Sequence, residues 1–189
     1  LKHNMKLNKF NLKNKNILIT GAAGLLGYQH SIALLNVGAR VMMTDVNISQ
    51  LNKNKSQLLK KNKQYKIDCF RMDVTSEKTI NNVISKIRKK NIDIHVLINN
   101  ACLNPQYDNN SGLKNAALEN FSLKRWNKEI TVGLTGAFLC SKIIGSYMKK
   151  NKNGGVIINI SSDLSVISPD QRLYSGKGYN KHFKPASYS

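Results

Sequence analysis

The sequence predicts an α/β fold: a doubly wound parallel sheet with helices on both faces, three layers in all. Two observations carry this expectation. From Asn16 onward, short apolar runs alternate with stretches that repeat apolar residues at helical spacing. The apolar runs are also apolar at successive positions, so both faces of each strand need cover, as in parallel sheets joined by right-handed helical crossovers.

The elements follow in order. "NILIT" is a short buried-strand run, and glycines come directly after it. "LLGYQHSIALLNVG" has helical spacing and closes on Gly38, a predicted C-cap. "RVMMTD" is a second strand that ends in an acid. "ISQLNKNKSQLLKKN" reads as an exposed helix with Leu51, Leu58 and Leu59 inward. "YKIDCFRMDV" is the third strand. "SEKTINNVISKIRKKN" is a helix capped by Ser76, with Ile80, Val83, Ile84 and Ile87 as its stripe. "IHVLINNA" and "GVIINISS" are the fourth and fifth strands. Residues 103–123 are polar and hold Pro105, Asn109, Asn110 and Gly112. They follow a strand's carboxyl end, so a loop at the rim of a ligand site is expected there. No internal boundary is visible: residues 1–14 form a basic extension and 15–189 one domain, incomplete at its C-terminus.

Composition narrows the function. The chain has 30 Lys and Arg against 10 Asp and Glu, a formal charge of +20. Such a charge suits phosphate neutralisation. Yet Lys and Asn rise together throughout, as in "LNKFNLKNKN", which coding bias alone produces. No basic stripe is interleaved with aromatic residues, as single-strand binding requires. The expectation is no nucleic-acid partner, and a charge that aids solubility and attracts anionic ligands. No run of apolar residues is long enough to span a bilayer, so no membrane association is expected. Cys69, Cys102 and Cys140 are scattered and odd in number, which fits a reducing, cytoplasmic setting. The histidines are dispersed too, and no metal site is expected.

"TGAAGLLG" places Gly21, Gly24 and Gly27 between a strand and a helix, with Ala22, Ala23, Leu25 and Leu26 completing the turn. A pyrophosphate needs close backbone approach and free amides at a helix N-terminus, and glycine removes the Cβ that would block it. Asp45 ends the next strand near the offset where an acid takes the ribose hydroxyls of adenosine. Its charge repels a 2′-phosphate, and no Arg or Lys lies in residues 22–26 or directly follows Asp45. The expected cofactor is therefore NAD rather than NADP, held in a Rossmann-type fold.

With these residues in place, the chain resembles the short-chain dehydrogenase/reductases, in a classical but atypical form, from about Lys15 to its last residue. "TGAAGLLG", "MDVTS", "LINNAC", "VGLTGAF", "VIINISS" and "KPASYS" occur in the family's order. The resemblance implies that Asp73 and Val74 lie beside the adenine and that Asn99, Asn100 and Ala101 steady the sheet and line the cofactor. It implies that Ser162 binds the substrate oxygen. A tyrosine on the next helix should be the acid/base, with a lysine four residues later to hold the nicotinamide ribose and lower the tyrosine pKa. Two departures stand out: Cys102 replaces a glycine, and Gly133 stands where many members have an asparagine that supports a water relay. The G-x-x-G-x-x-G spacing is more usual in the branch of sugar-nucleotide epimerases and dehydratases, which remains an alternative, as does a catalytically silent dinucleotide-binding protein. The wording of the chain also resembles members linked to bacterial surface-polysaccharide and flagellar sugars.

Three tyrosines compete for the acid/base role. Tyr174 has Gly178 four residues on and Lys177 three on, in a glycine-rich stretch that makes a poor helix. Tyr179 has Phe183 four residues on. Tyr188 follows Pro185, which can open a helix. Tyr188 is the expected catalytic residue, with residues 163–184 an enlarged loop over the substrate. Its lysine would fall just beyond Ser189, so the chain is expected to be a fragment that does not turn over as written. Turnover of any alcohol with NAD by these 189 residues would refute that expectation. The full-length protein is expected to act on a small molecule as a homo-oligomer, dimer or tetramer. The fifth strand is expected to be an exposed apolar edge.

Overall fold

The computed structural model describes residues 10–103, 118–168, 170 and 172. Five strands, β1 (Asn16–Thr20), β2 (Arg40–Asp45), β3 (Lys66–Arg71), β4 (Val96–Asn99) and β5 (Val156–Asn159), form one parallel sheet in the order β3-β2-β1-β4-β5. Chain order reverses direction beside β1, as it does in a doubly wound sheet. The strands fall where the apolar runs predict: β1 and β2 match them residue for residue, and β3, β4 and β5 are trimmed at their ends.

Helices α1 (Leu25–Asn36), α2 (Ile48–Lys61), α3 (Glu77–Lys89), α4 (Leu123–Ile130) and α5 (Gly136–Met148) complete the layers. Strand alternation divides the core in two. Ile17, Ile19, Val41 and Met43 face Leu35, Leu51 and Leu58 of α1 and α2. Leu18, Met42 and Leu97 face Ile80, Val83, Ile84 and Ile87 of α3 and Cys140, Ile144 and Met148 of α5. Adjacent strand residues thus bury against opposite helical layers, which is why the runs lack polar alternation.

Helix ends follow local chemistry. The side chains of Asn47, Ser76 and Ser122 accept from Gln50 N (3.0 Å), Thr79 N (3.4 Å) and Arg125 N (3.3 Å), capping α2, α3 and α4. Gly38 is not itself the C-cap of α1, which is Val37. It sits one residue later with φ +91°, where Gly38 N donates to Leu35 O and Ala39 N to Leu34 O, a Schellman pattern.

Between α4 and α5 the helix widens into one π turn, Thr131–Thr135, so Leu123–Met148 runs as 26 continuous helical residues. By length and composition this helix could cross a membrane. Reading unbroken apolar runs missed it because polar residues interrupt the segment. Its buried positions, Gly136, Cys140, Ile144 and Met148, pack with α3 and the sheet, so it forms a layer of this fold.

Candidate functional site

The carboxyl ends of the strands carry those residues singled out from the sequence that the structure describes. Thr20, the last residue of β1, is buried. Its Oγ1 accepts from Asn100 N and Ala101 N, both at 3.0 Å. Asn100 Nδ2 returns bonds to Thr20 O (2.9 Å) and Gly21 O (3.2 Å). The chain leaving β4 is thereby fastened to the start of the glycine turn. Asn99 turns the other way: it is buried, and its Nδ2 contacts Asn159 Oδ1 (2.8 Å) and Ser141 Oγ (3.0 Å), joining β4 to β5 and α5.

The glycines divide by role. Gly21 has φ +65°, and a Cβ there would meet Ala101 Cα at 2.8 Å. A Cβ on Gly27 would meet Gly21 O at 2.4 Å and Ala22 Cα at 2.7 Å. Both serve close packing of turn, strand and helix. Gly24 differs: it is exposed, and its Cβ would meet only Gly21 O, at 3.4 Å. It caps α1 with no side-chain hydrogen bond. The first-turn amides of Leu25, Leu26 and Gly27 therefore have no capping side chain, the arrangement that receives an anion. This open side leaves room for a ligand group beside the α1 amides.

Asp45 ends β2 beside that turn. Its Oδ2 accepts from Ala23 N (3.1 Å) and its Oδ1 from Asn47 N (2.9 Å). A carboxylate offers about four lone-pair positions, so acceptor capacity remains for two ribose hydroxyls. Asp73 and Val74 follow β3 at the same edge. Asp73 Oδ1 accepts from Thr75 N (2.9 Å) and Thr75 Oγ1 (2.7 Å), fixing the turn into α3. Val74 is buried under α5, where a Cβ on Gly136 would meet its Cγ2 at 2.6 Å.

Ser162 lies just past β5, half-buried, with Oγ donating to Asp163 Oδ1 (3.0 Å) and accepting from Leu164 N (3.3 Å). Tyr188, with Tyr174, Tyr179 and Lys177, falls outside the described residues, as does most of the predicted rim loop. Gly133 lies in the π turn, and a Cβ there meets no described atom within 4 Å. Cys102 is exposed beside the turn, whereas burial pushes the Cys140 thiol up to about 12. Among the described residues no cluster of His, Cys, Asp or Glu could hold a metal.

Sequence reasoning missed Thr20 and Asn54. Asn54 is buried on α2 and donates to Ala23 O at 3.4 Å. A signal was present: a polar residue in phase with Leu51 and Leu58, the stripe that faces inward.

The family described as short chain dehydrogenase matches residues 15–177. The chain belongs to the short chain dehydrogenase family. Among similar proteins, a 3-oxoacyl-acyl-carrier-protein reductase of Thermotoga maritima is 30% identical over 167 residues, 87% of this chain and 62% of that protein. An NAD-dependent glycerol dehydrogenase of Listeria innocua is 28% identical over 170 residues, 87% of this chain and 59% of that one. The crystal structure of an NAD+-bound xylitol dehydrogenase has a TM-score of 0.71 at 28% identity, covering 85% of this chain and 57% of its own. The chain thus spans about half to three-fifths of the length of most of the relatives it matches.

Proposed function

We propose that this chain is the cofactor-binding part of an NAD-dependent oxidoreductase acting on a hydroxyl or carbonyl group of a small, sugar-like or polyol substrate. The observation that carries the reading is the meeting of Gly24, Asp45 and the Asn100–Ala101 segment at one edge, with the turn bonded to both neighbours. The open side of Gly24 and the uncapped amides of α1 would receive the pyrophosphate. Asp45 would accept from the ribose hydroxyls and repel a 2′-phosphate, favouring NAD over NADP. Asp73 and Val74 would flank the adenine, and Ala101 would line the cofactor. The names of the glycerol and xylitol dehydrogenases support both the cofactor and the substrate class.

A nicotinamide dinucleotide bound there would supply or take up the hydride. Ser162 would hold the substrate oxygen and stabilise charge developing on it. Tyr188 would move the proton. A free tyrosine has a pKa near 10, too high for a base at neutral pH, so a cation beside it is required.

The test is oxidation of glycerol and xylitol with NAD, followed by the appearance of NADH, in a chain continued past Ser189 with lysine four residues after Tyr188. Ser162→Ala and Tyr188→Phe should each lower kcat by at least about a hundredfold, and Tyr174→Phe should leave it within about threefold. Loss of activity in Tyr174→Phe with retention in Tyr188→Phe would reverse the assignment.

A further inference from the structure

Ala23, at the centre of the glycine turn, is held from both sides. Its N–H donates to Asp45 Oδ2 at 3.1 Å, and its carbonyl accepts from Asn54 Nδ2 at 3.4 Å. Asn54 is 4% exposed, among the few buried polar side chains of the fold. Its other side-chain atom, Oδ1, accepts from Gln50 Nε2 at 2.7 Å, one turn earlier on α2. That bond determines which end of the amide faces Ala23. With Oδ1 engaged by a donor, the NH2 group points at the carbonyl.

An apolar residue would ordinarily fill position 54. Leu51 and Leu58 on either side of it are fully buried in the α1–α2 core. A buried amide costs stability unless its polar atoms are paired. Here both are paired, one of them to the turn itself. Ala23 lies one residue before Gly24, whose open side faces the predicted pyrophosphate, and its own N–H bonds the predicted ribose-binding acid. Moving the Ala23 peptide would displace both groups together.

We propose that Asn54, oriented by Gln50, is a positioning residue for the adenosine end of the cofactor: α2 holds Ala23 so that Asp45 and the α1 amides keep a fixed separation. The inference rests on reading the turn as a dinucleotide site. It adds that affinity for the adenosine half depends on a helix that does not touch the cofactor.

The test measures binding of NADH and ADP-ribose to the 189-residue chain, together with amide hydrogen exchange at Ala23. Asn54→Leu and the near-isosteric Asn54→Asp should both weaken each ligand about tenfold, the equivalent of one lost hydrogen bond, and speed exchange at Ala23. Gln50→Leu should weaken binding about threefold, because the amide remains but is no longer oriented. Leu58→Val, in the same buried stripe, should lower Tm without changing either Kd. Wild-type affinity in both Asn54 variants would overturn the positioning role alone. A loss in Leu58→Val as large as in the Asn54 variants would also overturn it, by reducing the effect to general loosening of α2. Failure of the wild-type chain to bind either ligand would overturn the reading of the site and this inference with it.

Discussion

One row of residues crosses the sheet from edge to edge: Asp68, Met42, Leu18, Leu97 and Ile157 are successive partners in register. The three in the middle are fully buried. The two ends are opposites. On the β3 edge Asp68 is 9% exposed, bonded by Lys90 Nζ at 2.7 Å and Arg40 Nε at 2.8 Å. On the β5 edge Ile157 is 40% exposed, with Val156 at 55% and Ile158 at 42%. A charge is enclosed at one edge and apolar side chains lie open at the other. A strand's burial is decided by its neighbours rather than its own pattern: "VIIN" of β5 is as apolar as "VLIN" of β4, but only β4 has partners on both sides. The β3 edge also carries Lys66, Asp68 and Arg71, charges of the kind that discourage further strand pairing, and β5 carries none.

Truncating the row should separate its centre from its open end most strongly. Leu97→Ala should cost about 3 kcal/mol, because the cavity lies between two filled layers. Ile157→Ala, one strand away, should cost about 1 kcal/mol, since much of the removed surface already meets water. Urea denaturation of the two variants measures the difference, and equal costs would break the comparison.

The enclosed edge should give the next largest effect. Burial alone would raise the Asp68 carboxyl, but the hydrogen bonds and charges of Lys90 and Arg40 hold it below the usual carboxylate range. A carboxyl lowered in the folded state adds stability above its unfolded pKa, and that stability is lost as the pH falls through the folded value. Asp68→Asn should therefore cost about 1–2 kcal/mol at neutral pH, less than a fully buried pair because Arg40 and Lys90 are part-exposed. The cost should shrink as the pH drops below the carboxylate range. A cost independent of pH would show that shape rather than charge secures this edge.

The smallest expected change in stability is at the open edge. Ile158→Lys should alter unfolding free energy by no more than about 0.5 kcal/mol. It should also reduce aggregation, since a charge blocks edge pairing. Light scattering at matched concentrations reads the second effect, and unchanged scattering would mean that β5 is not the sticky surface.

The strands and the helices α1–α3 were legible because apolar run length and helical spacing act locally. The place of Asp45 was legible, an acid that ends β2 beside the glycine turn. It was less legible where several contacts share a residue. Nothing in "TGAAGLLG" separates Gly24, open to a ligand, from Gly21 and Gly27, closed by Ala101 and by the turn itself. Thr20 gave no signal, because its role depends on β4 arriving beside β1 from 78 residues away. Asn54 left a trace, a polar residue in an apolar phase, but the trace does not say which carbonyl it meets. The helix Leu123–Met148 was missed by the reading of apolar runs because polar residues interrupt its apolar pattern, and its π turn at Thr131–Thr135 follows no local rule of propensity.

The most direct test is the affinity of the chain for NADH and NADPH, by calorimetry, in the wild type and in Asp45→Ala. If the carboxyl edge binds a dinucleotide with Asp45 on the adenosine ribose, wild type should prefer NADH by about tenfold or more, roughly 1.4 kcal/mol. Asp45→Ala should weaken NADH and erase most of that preference. Equal or tighter binding of NADPH by the wild type, or a preference that survives the loss of Asp45, would contradict the account.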